Sequence, residues 1–245
     1  MRGLVALTKT ETTLFFREPA AVFFTLAFPI MLLLIFGSIF GNEPSAELNG
    51  WGSMDASVQG YIAMIIGTVA LIGIPVTIAS YREFGVLKRL KATPLRPFTV
   101  ILAHVLVNAL FTAIGIALLI LIGKIVYDLR MPEAPFAVAV AAAIGYLAFS
   151  TFGFVLAGLF PTARTAQAVG SVIYFPQLFL SGAALPHEMF SDTLRAWTEP
   201  LPMTQVVELI SDLWRGEGWN VTALAITTVI GLVSAVVAAR IFRWE

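Results

Sequence analysis

The stretch FTVILAHVLVNALFTAIGIALLILIG, residues 98–123, contains no Asp, Glu, Lys or Arg, and His104 is its one titratable side chain. A bilayer hydrocarbon core about 30 Å thick is crossed by about 20 helical residues rising ~1.5 Å each. A formal charge at its centre costs about 2.5–3.5 kcal/mol or more. A charge-free apolar run of this length therefore reads as a membrane-spanning helix. Five more runs pass the same test: residues 20–40, 58–80, 136–160, 165–186 and 221–239. The predicted fold is an all-α polytopic membrane protein with six transmembrane helices. It forms a single domain over residues 1–245 with no internal repeat.

Composition agrees. The 245 residues are 58 % hydrophobic and 12 % charged, where a soluble domain carries roughly a quarter charged residues. Mean hydropathy is +0.89, so lipid is the partner for much of the apolar surface. Fifteen basic and fifteen acidic residues cancel, which excludes nucleic-acid binding through overall basicity. Cysteine is absent and histidine occurs twice. Disulfides, thiolate metal sites and Cys nucleophiles are thereby excluded, and a multi-His metal centre is disfavoured. The first run is too long for a cleaved signal peptide and lacks a small-residue cleavage site, so it reads as retained.

Eleven of the fifteen Lys and Arg fall before residue 20, in residues 81–97, at Arg164 or after residue 239. The positive-inside rule makes that side cytoplasmic, with both termini. Eleven of the fifteen acids fall on the other side. All five tryptophans (51, 197, 214, 219 and 244) lie outside the six runs, where indoles at headgroup depth are expected.

The segments between the runs carry their own patterns. Residues 1–18 alternate Leu4, Leu7 and Leu14 with Lys9, Glu11 and Arg17, which predicts an interfacial helix ended by Pro19. In residues 81–97, Tyr81, Phe84, Leu87 and Leu90 recur every three positions, with Arg82, Glu83, Lys88, Arg89 and Lys91 pointing elsewhere. A short amphipathic helix stopped by Pro94 and Pro97 is predicted. Its charge either follows the positive-inside rule, with anionic lipid as its contact, or serves docking into a groove on a cytoplasmic partner. Outside, residues 187–220 predict two short amphipathic helices split by Pro200 and Pro202. Met189, Phe190, Leu194 and Trp197 form one apolar face. Met203, Val206, Val207, Ile210, Leu213 and Trp214 form the other.

Polar residues inside the runs are few. Gln167, Gly170, Tyr174, Gln177 and Ser181 follow one another at intervals of three and four, one stripe of the fifth helix. Such a stripe turns away from lipid, either as helix–helix adhesive or as the lining of a dimer seam or transport route. His104 and Asn108 share a face of the third helix, as a packing pair or as a proton or substrate contact. Pro29, Pro75 and Pro176 predict kinks, and Ala141 with Gly145 predicts one close helix contact.

Several chemistries are missing. No G-x-x-x-x-G-K-[ST] phosphate loop occurs, so ATP is not bound by that route. Leu180-Ser181-Gly182 matches the start of an ATPase signature but sits at an apolar helix end. No run pairs a carboxylate with a base, which leaves ion-coupled transport without its usual ligands. Ser181 lacks the setting of an intramembrane protease nucleophile.

Read in order, Arg17-Glu18-Pro19, the block Tyr81-Arg82-Glu83-Phe84-Gly85-Val86-Leu87-Lys88-Arg89-Leu90-Lys91-Ala92-Thr93-Pro94-Leu95, and Phe179-Leu180-Ser181-Gly182 with Pro186, Pro200-Leu201-Pro202 and Arg215-Gly216 resemble the permease family of ABC type-2 exporters over nearly the whole chain. Lys88, where many members carry an acid, is similar to the branch holding antibiotic and multidrug permeases. The resemblance implies a half-transporter joined to a second permease subunit, identical or paralogous, and to two separate ATPase subunits. ATP and Mg belong to those subunits and no cofactor to this chain. It further implies that residues 81–91 form the ATPase-coupling helix, with Tyr81, Arg82, Glu83, Phe84, Gly85, Leu87, Lys88, Arg89 and Leu90 as its contacts. The first, second and fifth spans would face the dimer and pathway, and the external helices would be re-entrant. The expected activity is export of an amphipathic or hydrophobic compound (drug, antibiotic or lipid-like) across a bacterial inner or plasma membrane. The competing readings are an ATP-independent secondary transporter or channel and, more distantly, a membrane scaffold or intramembrane enzyme.

Overall fold

The computed structural model describes residues 2–91 and 97–241, and every regular element among them is helical. Ala92, Thr93, Pro94, Leu95 and Arg96 of the basic loop, and Arg243, Trp244 and Glu245, lie outside the described residues. Ten helices carry the fold. They are α1 (Arg2–Arg17), α2 (residues 19–40), α3 (Ser53–Glu83), α4 (Val86–Lys91), α5 (Pro97–Tyr127), α6 (Pro135–Leu159), α7 (Ala163–Leu180), α8 (Asp192–Thr198), α9 (Pro202–Arg215) and α10 (Val221–Ile241). Short 3₁₀ turns occur at Ala46–Leu48 and His187–Met189.

Five helices are long and apolar enough to cross a membrane: Phe23–Phe40, Ser53–Glu83, Thr99–Tyr127, Pro135–Leu159 and Val221–Ile241. The run at 165–186 differs from expectation. Helix α7 starts earlier, with the Thr162 hydroxyl accepting the Thr165 amide as its cap, and ends at Leu180. Residues 181–186 leave the helix, and Gly182 there takes a φ of +79°. The polar stripe lowers the hydropathy of α7 below that of the other five.

At the centre stands α3. In its most apolar window 78 % of residues are buried, against 22 % for α2 and α10. The reason is compositional: from Gly60 to Leu71 it is almost wholly apolar or small all round, the pattern of a helix surrounded by others. Neighbours approach its backbone through glycine. A Cβ on Gly153 of α6 would stand 2.1 Å from the Ala70 carbonyl oxygen, and one on Gly170 of α7 2.3 Å from that of Leu71. Helix α10 packs along α6, where Thr151 donates to the Gly231 carbonyl at 3.0 Å. Gly145 meets Val206 of α9, so the close contact expected at Ala141 and Gly145 is made, at Gly145, with a helix of the 187–220 segment. The outward faces stay apolar, with Ile39, Leu121, Ile125, Val172, Val229 and Leu232 exposed, as a lipid solvent requires.

Proline shapes two of the helices. A π turn at Phe23–Ala27 precedes Pro29, and one at Thr68–Gly73 precedes Pro75. Proline has no N–H for the carbonyl four residues back, and the wider turn absorbs the mismatch. Within α7, Pro176 is passed without a π turn.

Of the two amphipathic helices expected in residues 187–220, the first differs, since Met189 and Phe190 precede α8 and Leu194 and Trp197 are exposed; the second forms, with Pro202 as a first-turn residue of α9. Its face of Met203, Val206, Val207, Ile210, Leu213 and Trp214 is buried. Trp214 departs from the headgroup expectation: it is fully buried, and its indole N–H donates to the Arg130 carbonyl at 3.0 Å. Trp197 and Trp219 are exposed.

Candidate functional site

The basic loop is not one helix. Tyr81, Arg82 and Glu83 are the last residues of α3. Phe84 and Gly85 turn the chain, and α4 follows. Gly85 takes φ +69°, with nothing within 4 Å of a Cβ built on it, so glycine serves conformation here and not space. The break explains why the three-residue spacing fails at Phe84. Leu87 is buried, whereas Phe84 is 70 % exposed beside exposed Lys88 and Arg89. The Leu90 and Lys91 side chains lie outside what is described.

The hinge is wired into two other helices. Arg82 Nη1 donates to the Ala157 and Phe160 carbonyls at 2.9 and 3.2 Å, at the C-terminal end of α6. Glu83 accepts from the Ala163 amide at 3.1 Å, at the N-terminus of α7. A cation on the carbonyl end and an anion on the amide end each match the charge of the helix terminus they cap.

Beside the hinge lies a cavity of about 370 Å³, lined by α1, α2, α3, α5 and α7. Its polar end is a cluster that the sequence reading divided among separate segments. Glu11 of α1 is buried and accepts from the Tyr81 hydroxyl at 2.9 Å on each oxygen. Its Oε2 lies 3.3 Å from His104 Nδ1. Asn108 donates to the His104 carbonyl at 2.9 Å, so the expected pair bonds within its own helix while the imidazole reaches another. The expectation that no carboxylate meets a base therefore holds within the spans and fails for the bundle, because the acid arrives on α1. Phe15 stacks on Phe111 at 3.8 Å and fixes α1 against α5.

The α7 stripe divides by depth. Gln167 and Tyr174 line the cavity, and the Tyr174 and Thr68 hydroxyls lie 2.8 Å apart. Gly170 is the contact with Leu71. Gln177 is buried and accepts the Met203 amide at 3.2 Å, capping the start of α9. Ser181 is fully buried, its amide on the Gln177 carbonyl at 2.9 Å.

Polar and ring contacts tie the opposite end of the bundle together. Buried Asp55 accepts the Arg130 amide at 2.8 Å and lies 3.7 Å from its Nε. Trp51 lies under the guanidinium groups of Arg130 and Arg215 at 5.2 and 5.8 Å, and Arg215 also pairs with Glu188. On α9, burial and the neighbouring carboxylates of Asp212 and Glu199 push the Glu208 carboxyl above its ordinary range.

Of these features the sequence missed Glu11, although a signal existed. It stands four residues after Leu7 and three before Leu14, on the apolar stripe of the N-terminal helix. An acid on the wrong face of an amphipathic helix asks for a partner.

Apolar helices facing outward around an internal cavity, with a polar hinge at one end, define an integral membrane protein. Residues 2–213 match the model of the ABC-2 type transporter family. The chain belongs to that family. It is also 24 % identical over 208 residues to "Putative transport permease ycf38" of Cyanophora paradoxa, covering 83 % of this chain and 71 % of that one.

Proposed function

We propose that the chain is the membrane permease subunit of an ATP-driven exporter, working with two ATPase subunits and a second permease, identical or paralogous. The observation that carries this reading is the hinge. Phe84, Lys88 and Arg89 stand free on one side, while Arg82 and Glu83 bind the ends of α6 and α7 on the other. Force applied to the exposed residues by a docked ATPase reaches two further helices through hydrogen bonds already in place. ATP and Mg belong to the partner, and this chain supplies movement. Helix α7 is the sixth crossing: 18 residues at ~1.5 Å rise give about 27 Å, enough for a slightly thinned core.

With Tyr81–Lys91 in the cytoplasm, the cavity beside it is reached from inside and the Asp55–Arg130–Trp51 cluster faces out. That is the arrangement an exporter needs to load an amphipathic compound. A secondary carrier working without ATP would use the Glu11–His104 pair instead. The test is co-expression with the ATPase and measurement of ATP hydrolysis in nanodiscs. Phe84→Ala and Arg89→Glu are expected to lower permease-dependent stimulation at least fivefold at normal membrane insertion. Wild-type stimulation in both variants, or transport persisting without any ATPase, would reject the coupling role.

A further inference from the structure

The charged side chains lining the cavity are of one sign. Glu11 and Glu18 face it, and among the described residues no Lys or Arg does. This occurs at the end of the bundle where the sequence concentrates eleven of its fifteen bases, so chance and the positive-inside rule both favour the opposite sign. We propose that the cavity recognises an amphipathic organic cation, a reading that rests on the exporter assignment only in making that cation the cargo.

Four observations carry it. The volume of about 370 Å³ falls within the roughly 300–1,000 Å³ of small-molecule sites. The two acids are seven positions apart in sequence, Glu11 buried on α1 and Glu18 exposed just beyond its last residue, Arg17, and both line the cavity. The Tyr81 hydroxyl, donating to both Glu11 oxygens, holds that carboxylate in one orientation. The remaining wall is mostly uncharged and carries aromatic rings at Phe24, Phe28, Tyr174 and Phe175. Aromatic faces attract a weakly hydrated cation, and a carboxylate that has lost water is compensated by the same cation. An anion of equal shape meets two carboxylates and, among the described residues, no Lys or Arg, while the His104 imidazole is turned to Glu11.

The test uses the full chain in nanodiscs of phosphatidylcholine, which adds no anionic lipid of its own. The probes are tetraphenylphosphonium and tetraphenylborate, similar in shape and opposite in charge, with partition into protein-free discs subtracted. Saturable binding of tetraphenylphosphonium and none of tetraphenylborate is expected. Glu11→Gln and Glu18→Gln should each weaken the cation about tenfold, and Leu232→Ala, on the lipid face, should leave it unchanged. Glu18→Gln guards against a folding artefact, since the Glu18 side chain is exposed and Glu11 is buried. Equal binding of both ions, or wild-type affinity in Glu18→Gln, would overturn the proposal. Binding is read without the ATPase, so loss of coupling in Phe84→Ala alongside charge-blind binding would sink this inference and spare the exporter, and the reverse pattern would do the opposite.

Discussion

Arg82 and Glu83 are neighbours of opposite charge, and each meets a helix end of the sign opposite to its own. Replacing Arg82 by Met keeps the stem and removes both bonds to the Ala157 and Phe160 carbonyls. A hydrogen bond from a charged donor contributes about 1.5–3 kcal/mol, so Arg82→Met is expected to destabilise by about that amount. Thermal unfolding in detergent measures it, and an unchanged midpoint would show that water replaces the guanidinium there. The sequence marked both residues as chemically important through their basic-loop setting, yet it could not say what they bind. Their partners lie far away, acceptors at 75 and 78 positions for Arg82 and a donor at 80 for Glu83, and no local periodicity reports so distant a contact. Glu11 shows the converse: its misplacement on an apolar stripe was visible, while its partners Tyr81 and His104 belong to other helices.

Among the elements, the long apolar helices were legible because a bilayer imposes a length and forbids charge. Their ends were less so, since α3 and α5 continue past the hydrocarbon into polar sequence. The end of α7 was missed because residues 181–186 are as apolar as a helix but are held by Gly182 at positive φ and buried under His187. The hinge between α3 and α4 was missed for a related reason: a three-residue spacing reads through a glycine that in fact reverses the backbone. Gly85→Ala tests this at the scale of the element. With φ at +69° and open space around it, the substitution incurs only the left-handed penalty, about 1–2 kcal/mol. Relief of that strain straightens α3 into α4 and moves Phe84. Gly85→Ala is therefore expected to insert normally and to lower ATPase stimulation severalfold, measured in the same nanodisc assay as Phe84→Ala. Wild-type stimulation would mean that the angle between α3 and α4 is not what the partner senses.

For the molecule as a whole, the proposed assembly raises the question of which surface would meet a second permease. The polar stripe of α7 was a candidate seam, but four of its five residues are otherwise engaged. Tyr174 bonds Thr68, Gly170 packs on Leu71, Gln177 caps α9 and Ser181 is fully buried. Polar groups in a low-dielectric bundle are satisfied first within their own chain, because an unmade hydrogen bond there is costly. What α7 leaves outward is the reverse face, Ala168, Val172 and Phe179, with Val172 72 % exposed. Bulky apolar side chains at that spacing suit a packed helix seam and lipid alike, so geometry must be forced to choose. The chain has no cysteine, which makes single introductions clean. Val172→Cys is expected to form a disulfide between two copies in oxidised membranes, whereas Gln177→Cys, shielded by the start of α9, is expected to form none. Leu232→Cys on α10 serves as the lipid-facing control. Crosslinking at Gln177 and not at Val172 would require α7 to turn its polar stripe outward and release α9. Absence at both, with the paralogue missing from the cell, would place the reverse face of α7 in lipid and the seam on another helix.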